Sequence, residues 1–270
     1  GLVHDRPIGD GPVNNPVAAI GRGTLNAVAE IGAMTIFALR GAFAWVSGPF
    51  YTREFFLAAL RIGFNSLPVI GLTAIFTGAA LALNIYDGSA RFNAETFLPQ
   101  ILSVSIVREL GPGFAALMVA GRSSSGIAAE LGAMRVSDQI DAMSTLAVDP
   151  YKYLISPRIL ATTIMLPALV LVADLIGILG GWLVAVYALE FEGATYIRNI
   201  DEFITAADVG SGLIKAGVFG FLIAVMGCYY GFKSRGGAQG VGAATRSAVV
   251  ASAVAILASN YVMTSLFVDF

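Results

Sequence analysis

The chain has 270 residues, of which 57% are hydrophobic and only 13% charged, with a mean hydropathy of +0.78; an ordinary soluble domain carries roughly 25% charged residues. Water is therefore not the solvent for most of this surface, and a soluble enzyme is excluded. The formal net charge of −2, without a basic cluster, leaves no footprint for nucleic acid.

Residues Gly1 to Asn15 are rich in Gly, Pro and Asn and contain His4, the only histidine. A flexible tail over residues 1–21 is expected, and a metal site built on one histidine is not. A basic flank running straight into a short apolar core and a small-residue cleavage site is missing, so no cleavable signal peptide is expected. Residues 22–66 form a second region. Thr24 to Phe50 is apolar but broken by Glu30, Arg40, Gly41 and Gly48, and Arg53 to Phe64 is amphipathic. This pattern predicts an interfacial or partly embedded helix, with a sixth full span as the other reading.

Five apolar runs follow, Leu67 to Tyr86, Phe97 to Gly121, Ile159 to Leu189, Gly210 to Phe232 and Ala243 to Val268. Each suits the ~20 helical residues that cross a hydrocarbon core, and none alternates like a barrel strand. The expected fold is an all-α integral membrane protein: an N-terminal interfacial helix and five transmembrane helices, with the membrane domain over residues 67–270.

The second span carries Arg108 and Glu109 near its middle, where each charge costs about 2.5 to 3.5 kcal/mol unless paired or wet. Neighbours on a helix point about 100° apart, so at least one of them should face another helix or a cavity. Pro112 lacks the N–H that would bond the carbonyl of Arg108, so a kink beside the charges is expected. Asp174 in the third span is the candidate counter-charge for Arg108.

Between the second and third spans, Ser123 to Ser156 has helical periodicity in Ile127, Leu131, Met134, Ile140 and Met143. Glu130, Arg135, Asp138, Gln139 and Asp141 interrupt any membrane run. A cytoplasmic amphipathic helix or hairpin is expected, started by the serines Ser123 to Ser125, ended by Asp149-Pro150, and followed by a span beginning at Ser156-Pro157.

Lys and Arg fall mostly on one side if the N-terminus is cytoplasmic, which puts Arg91, Arg198 and Lys215 outside and the C-terminus in the periplasm. The acidic connection holding Glu190, Glu192, Asp201, Glu202 and Asp208 suits the outer side. Gly177, Gly180, Gly181 and the glycines from Gly210 to Gly231 suggest close helix packing. Gly236 to Gly242 is glycine-rich, yet no Gly-Lys dipeptide exists in the chain, so a P-loop is excluded and any ATP hydrolysis belongs to another chain. Cys228, the one cysteine, lies in an apolar run without a base, and no catalytic or metal-ligand constellation appears.

The ordered motifs Arg108-Glu109-Leu110-Gly111-Pro112, Ala120-Gly121-Arg122, Ala128-Ala129-Glu130-Leu131-Gly132-Ala133-Met134, Gln139-Ile140-Asp141-Ala142-Met143, Val148-Asp149-Pro150, Ser156-Pro157-Arg158 and Gly236-Gly237-Ala238 resemble the MlaE-type permeases of MCE-associated ABC transporters, which handle phospholipids and related lipids in bacterial envelopes. The likeness extends from about Phe50 to Val268. It implies an inner-membrane homodimer with two cytoplasmic ABC ATPase subunits that bind the ATP and Mg, a periplasmic ring of MCE-domain proteins and, in some members, a STAS-domain partner. No cofactor is expected in this chain. It also implies a lipid cavity near Arg108, Glu109, Pro112 and Asp174, and a coupling helix after Gly121 that offers Glu130, Met134, Arg135, Asp138, Gln139 and Asp141 to the ATPase. Ser123-Ser124-Ser125-Gly126 departs from the family's usual pattern, and the N-terminal tail has no counterpart.

Five spans are too few to enclose a two-tailed lipid, so a dimer with a shared cavity is the expectation. An ion-coupled transporter or channel is the other reading that buried Arg108, Glu109 and Asp174 permit, although five spans do not divide into paired repeats. A structural scaffold for envelope proteins is a third.

Overall fold

The computed structural model describes residues 16–45, 48, 51–91 and 94–268, and the long elements among them are all helices. They are α1 (Pro16–Phe43), α2 (Thr52–Gly63), α3 (Leu67–Ala90), α4 (Leu98–Val136), α5 (Gln139–Thr145), α6 (Tyr151–Tyr187), α7 (Gly193–Phe203), α8 (Ala206–Phe232) and α9 (Gly237–Val268). Five helical runs among the described residues are long and apolar enough to cross a membrane, with α2 and α3 counted together as one of them. The protein is an all-α integral membrane protein, as its composition predicts. Residues 1–15 of the expected tail lie outside the described residues, while α1 begins at Pro16 within that tail's expected extent.

The centre of the bundle is made where α4, α6 and α8 meet. Ala116, Val119, Leu166, Val170, Phe219 and Ile223 are buried together there, and Ile256 of α9 joins them. Helices α3 and α6 cross at glycines: a Cβ on Gly78 would fall within the carbonyl of Gly177, and one on Gly180 within that of Ile75. Small residues at such a crossing let backbones approach where lipid offers no hydrophobic drive. Each end of the bundle has its own cluster. Leu98, Leu102, Ala185 and Tyr196 close one end, and Phe37, Ile140, Ile155 and Tyr229 the other.

Local chemistry explains several helix starts. Thr205 and Asp208 form a reciprocal capping box at the start of α8, which satisfies two orphan N–H groups. Asp149 accepts the Tyr151 N–H at 2.9 Å, so Asp149-Pro150 starts α6 rather than ending the segment before it. Ser156-Pro157 accordingly lies inside a helix that is already running. A wide turn of π type, Tyr151–Ile155, leads into the regular part of α6.

The region after the second span also differs from expectation. The helix does not stop at Gly121; α4 continues to Val136, 39 residues in all, about 58 Å at 1.5 Å per residue and well beyond a ~30 Å hydrocarbon core. Ser123 to Ser125 therefore do not cap a new helix. Ser123 and Ser124 sit in a wide turn, Ala120–Ser124, Ser124 Oγ meets Ser252 Oγ at 3.0 Å, and Ser125 Oγ donates to the Gly121 carbonyl at 2.6 Å. The apolar stripe of Ile127 and Leu131 is buried because α8 packs on it at Gly227 and Gly231. Only α5 is a separate short helix, set off by left-handed backbone at Asp138 (φ 57°) and Ala147 (φ 58°).

At the N-terminal side, α1 lies against α6 and α8. Phe37 packs edge-on to Tyr229 at 5.5 Å, and Glu30 accepts hydrogen bonds from Tyr229 Oη at 2.7 Å and Lys233 Nζ at 3.2 Å. Helix α2 buries Ala59 and Ile62 but leaves Phe56 and Leu60 exposed beside Arg53 and Arg61, and Phe64 just after it is exposed too. That is the division an interfacial helix shows.

Candidate functional site

Four charged side chains meet where α4, α8 and α9 come together. A wide turn, Ile106–Leu110, carries Arg108 and Glu109, and such turns are frequent at functional sites. Glu109 Oε1 accepts a hydrogen bond from Lys215 Nζ at 2.6 Å and one from Thr264 Oγ1 at 3.0 Å. Its other oxygen accepts from Asn260 Nδ2 at 3.1 Å. Arg108 Nε pairs with Asp208 Oδ1 at 3.5 Å. Two cations and two carboxylates thus neutralise one another inside apolar helices.

Lys215 is the centre of the arrangement, with only 2% of its side chain exposed. Its ammonium has three N–H donors, and three acceptors face it: Glu109 Oε1, Thr264 Oγ1 at 2.8 Å and the carbonyl of Arg108 at 3.1 Å. One turn before Lys215, Gly212 lets α8 press on the Val107 carbonyl and the Pro112 ring, where a Cβ would not fit. A buried charge costs several kcal/mol unless its partners are all in place; here the donors of Lys215 are all engaged.

The charges open on a cleft of about 280 Å³, lined by Ser105, Arg108, Glu109, Ser211, Lys215 and Phe267 among others. Arg108 and Glu109 keep 40% and 37% of their side chains exposed into that side of the bundle. Arg108, 40% exposed and paired with Asp208 at its Nε, can still offer N–H donors to an anionic group beside walls that are largely apolar.

Two expected members of the site stand elsewhere. Asp174 does not pair with Arg108, whose partner is Asp208. It is buried on α6 against Gly111, its Oδ1 without a hydrogen-bond partner among the described residues. Pro112 is buried under α8 and acts on the site through the backbone. Lys215, expected as an outer charge, is with Arg108 one of two cations inside the bundle. Depth could have revealed it, since Glu109 lies eleven residues beyond Leu98 on α4 and Lys215 nine beyond Ala206 on α8, two helices that start from the same end.

The residues expected to meet an ATPase divide into two groups. Glu130, still 40% exposed, accepts from Arg61 and Arg158 at 3.1 Å each, and Met134 packs on the end cluster. Arg135 pairs with Asp141 and lies 5.7 Å from the Phe232 ring centroid. Asp138, Gln139 and Asp141 are exposed around α5, which is anchored by buried Ile140.

Comparison with known proteins gives a consistent set of likenesses. The family described as Permease MlaE matches residues 55–266. The chain is 47% identical over 253 residues to a probable ABC transporter permease protein of Rickettsia bellii, an alignment covering 94% of this chain and 98% of that protein. It is 32% identical over 206 residues to the intermembrane phospholipid transport system permease protein MlaE of Haemophilus influenzae, covering 76% and 79% of the two chains. Over 209 residues it is 37% identical to the chloroplast protein trigalactosyldiacylglycerol 1 of Arabidopsis thaliana, covering 77% and 59%.

Proposed function

Because the chain belongs to the MlaE permease family, we propose that it is the membrane subunit of an ATP-driven transporter moving phospholipids or related lipids between a bacterial inner membrane and a periplasmic MCE protein. The observation that carries this reading is the neutralised charge group of Arg108, Glu109, Asp208 and Lys215, which opens on a cleft between apolar helices. A lipid headgroup phosphate would bind Arg108 through charge-assisted hydrogen bonds, with acyl chains along the neighbouring helix faces. The names of the Haemophilus and Arabidopsis relatives, one for phospholipid transport and one for a galactolipid, support a lipid cargo.

A cleft of about 280 Å³ is slightly smaller than pockets that enclose a drug-sized molecule, roughly 300 to 1,000 Å³. A two-tailed lipid needs a second wall, and a second copy of this chain supplies it. The end bearing α5 faces the cytoplasm in this reading, which leaves the C-terminus periplasmic. There α5 offers Asp138, Gln139 and Asp141 to an ABC ATPase dimer that holds ATP and Mg, with a STAS-domain protein as a further partner, while a ring of MCE proteins receives the lipid on the other side. The permease itself performs no covalent chemistry.

The test is lipid transfer from liposomes holding the purified complex, measured together with ATP hydrolysis. Nucleotide-dependent transfer that fails in Arg108→Gln is the expected result. Transfer driven by a proton or sodium gradient without nucleotide would overturn the reading.

A further inference from the structure

A second polar cavity, about 310 Å³, lies at the α5 end of the bundle between α2, α4 and α6; Glu54, Arg61, Asn65, Arg122, Glu130 and Arg158 are among its lining residues. None of these lines the cleft at Glu109. Three guanidinium groups meet two carboxylates, and the carboxylates are already engaged. Glu130 Oε1 accepts from both Arg61 and Arg158, and Glu54 Oε1 accepts from Arg53 at 3.3 Å.

Arg122 has no carboxylate within ion-pair distance among the described residues. It donates to Ser66 Oγ at 2.9 Å and to the Arg61 carbonyl at 3.4 Å, both through Nη1. A guanidinium has five N–H donors in a fork that matches a phosphate, so Arg122 keeps donors free in an exposed position.

The level of the cavity selects the kind of anion. Arg122 lies 24 residues beyond Leu98 on α4, about 36 Å along the axis and just past a ~30 Å hydrocarbon core. Leu57, Ala58 and Ile62 of α2, and Ile127 of α4, line the same cavity as the arginines. Apolar side chains within a cationic cavity suit a molecule with a phosphate and acyl chains, whereas a free anion would gain nothing from them.

We propose that this cavity binds the headgroup phosphate of a membrane lipid in the leaflet at the α5 end, with Arg122 as its principal donor and Arg61 and Arg158 as flanking charge. The site is distinct from the cleft at Arg108 and independent of what that cleft carries.

The experiment uses the full chain in micelles and phosphatidic acid carrying a photoactivatable group next to its phosphate, with cross-linked peptides mapped by mass spectrometry. Label is expected on residues 54–65 and 122–130, reduced about tenfold in Arg122→Gln and restored to within about twofold in Arg122→Lys, as one charge-assisted hydrogen-bonded contact implies. Unlabelled phosphatidic acid should compete. If Arg122→Gln fails to fold, Arg61→Gln, which leaves Glu130 paired with Arg158, should still lower the label about threefold. Label confined to residues 104–109, label indifferent to both substitutions, or equal competition by inorganic phosphate would each overturn the proposal, the last by assigning the arginines to a free anion.

Discussion

Lys215 supplies the hydrogen bond that Pro112 cannot: its Nζ donates to the carbonyl oxygen of Arg108 at 3.1 Å, the acceptor that an N–H at position 112 would have used in a regular helix. A proline in α4 and a lysine in α8 are thus two halves of one device. The proline exposes a backbone acceptor within the membrane, and the lysine satisfies it while neutralising Glu109.

Removing the lysine should leave the Arg108 carbonyl without this donor and the Glu109 carboxylate without its counter-charge, with only Thr264 and Asn260 still donating to it. Lys215→Met is expected to destabilise the protein by about 3 kcal/mol, the low end for a broken buried pair, because Glu109 is 37% exposed. The double variant Lys215→Met/Glu109→Gln should recover part of that loss. Thermal unfolding of the detergent-solubilised protein measures both, and equal melting temperatures for the single variant and the parent would refute the account.

Pro112→Ala restores the missing N–H and sets it in competition with Lys215 for the Arg108 carbonyl. The expected outcome is unchanged or slightly higher thermal stability with transfer reduced severalfold, as the charges lose their register. Transfer assays in liposomes, read beside the melting curve, separate this from simple unfolding.

Gly111 faces the buried carboxyl of Asp174, and a Cβ at position 111 would fall on its Oδ1. Gly111→Ala should cost about 1 to 3 kcal/mol through overpacking. Asp174→Ala removes the obstacle and a buried oxygen without a partner, so the double variant should be more stable than Gly111→Ala alone. Strict additivity of the two melting shifts would show that the residues do not meet.

The docking of α1 should depend on pH at both extremes. Hydrogen bonds from Tyr229 and Lys233 hold the Glu30 carboxyl below its usual value of 4.5, and the bonds of Lys233 to Tyr229 and Glu30 raise its ammonium above 10.5. The Glu30 contribution is complete above about 4.5 and fades as pH falls through its lowered pKa; the Lys233 contribution is complete below about 10.5 and fades as pH rises through its raised one. Both groups are half exposed, so the amplitude is small. An environment-sensitive fluorophore at Met34→Cys should report a flat plateau with an acid transition that Glu30→Gln abolishes.

Hydropathy alone located the five crossings, because a run of about 20 apolar residues has few other uses. The intramembrane charges were equally visible, yet their pairing was not. Asp174 lies in a span, which makes it the natural match for Arg108, while Asp208 falls among the outer acidic residues although it caps α8 close enough to reach Arg108. The helical period after Gly121 was also genuine. It marks burial of Ile127 and Leu131 beneath α8 rather than a detached helix, and the polar Glu130 that seemed to break it answers Arg61 and Arg158 from other parts of the chain. Periodicity records which face is covered, not what covers it. Asp138, just before α5, and Gln139 and Asp141 within it are exposed, which is why they interrupt the apolar pattern.

The wide turns at Ile106–Leu110 and Ala120–Ser124 bracket the nine residues Gly111–Val119. Each wide turn stores one surplus residue in the backbone ladder, and surrendering it to the neighbouring segment turns that segment by about 100° and advances it by about 1.5 Å. The middle of α4 is in this sense a short spindle between two joints. A push on its far end can arrive at Glu109 as a discrete rotation, without any helix having to bend.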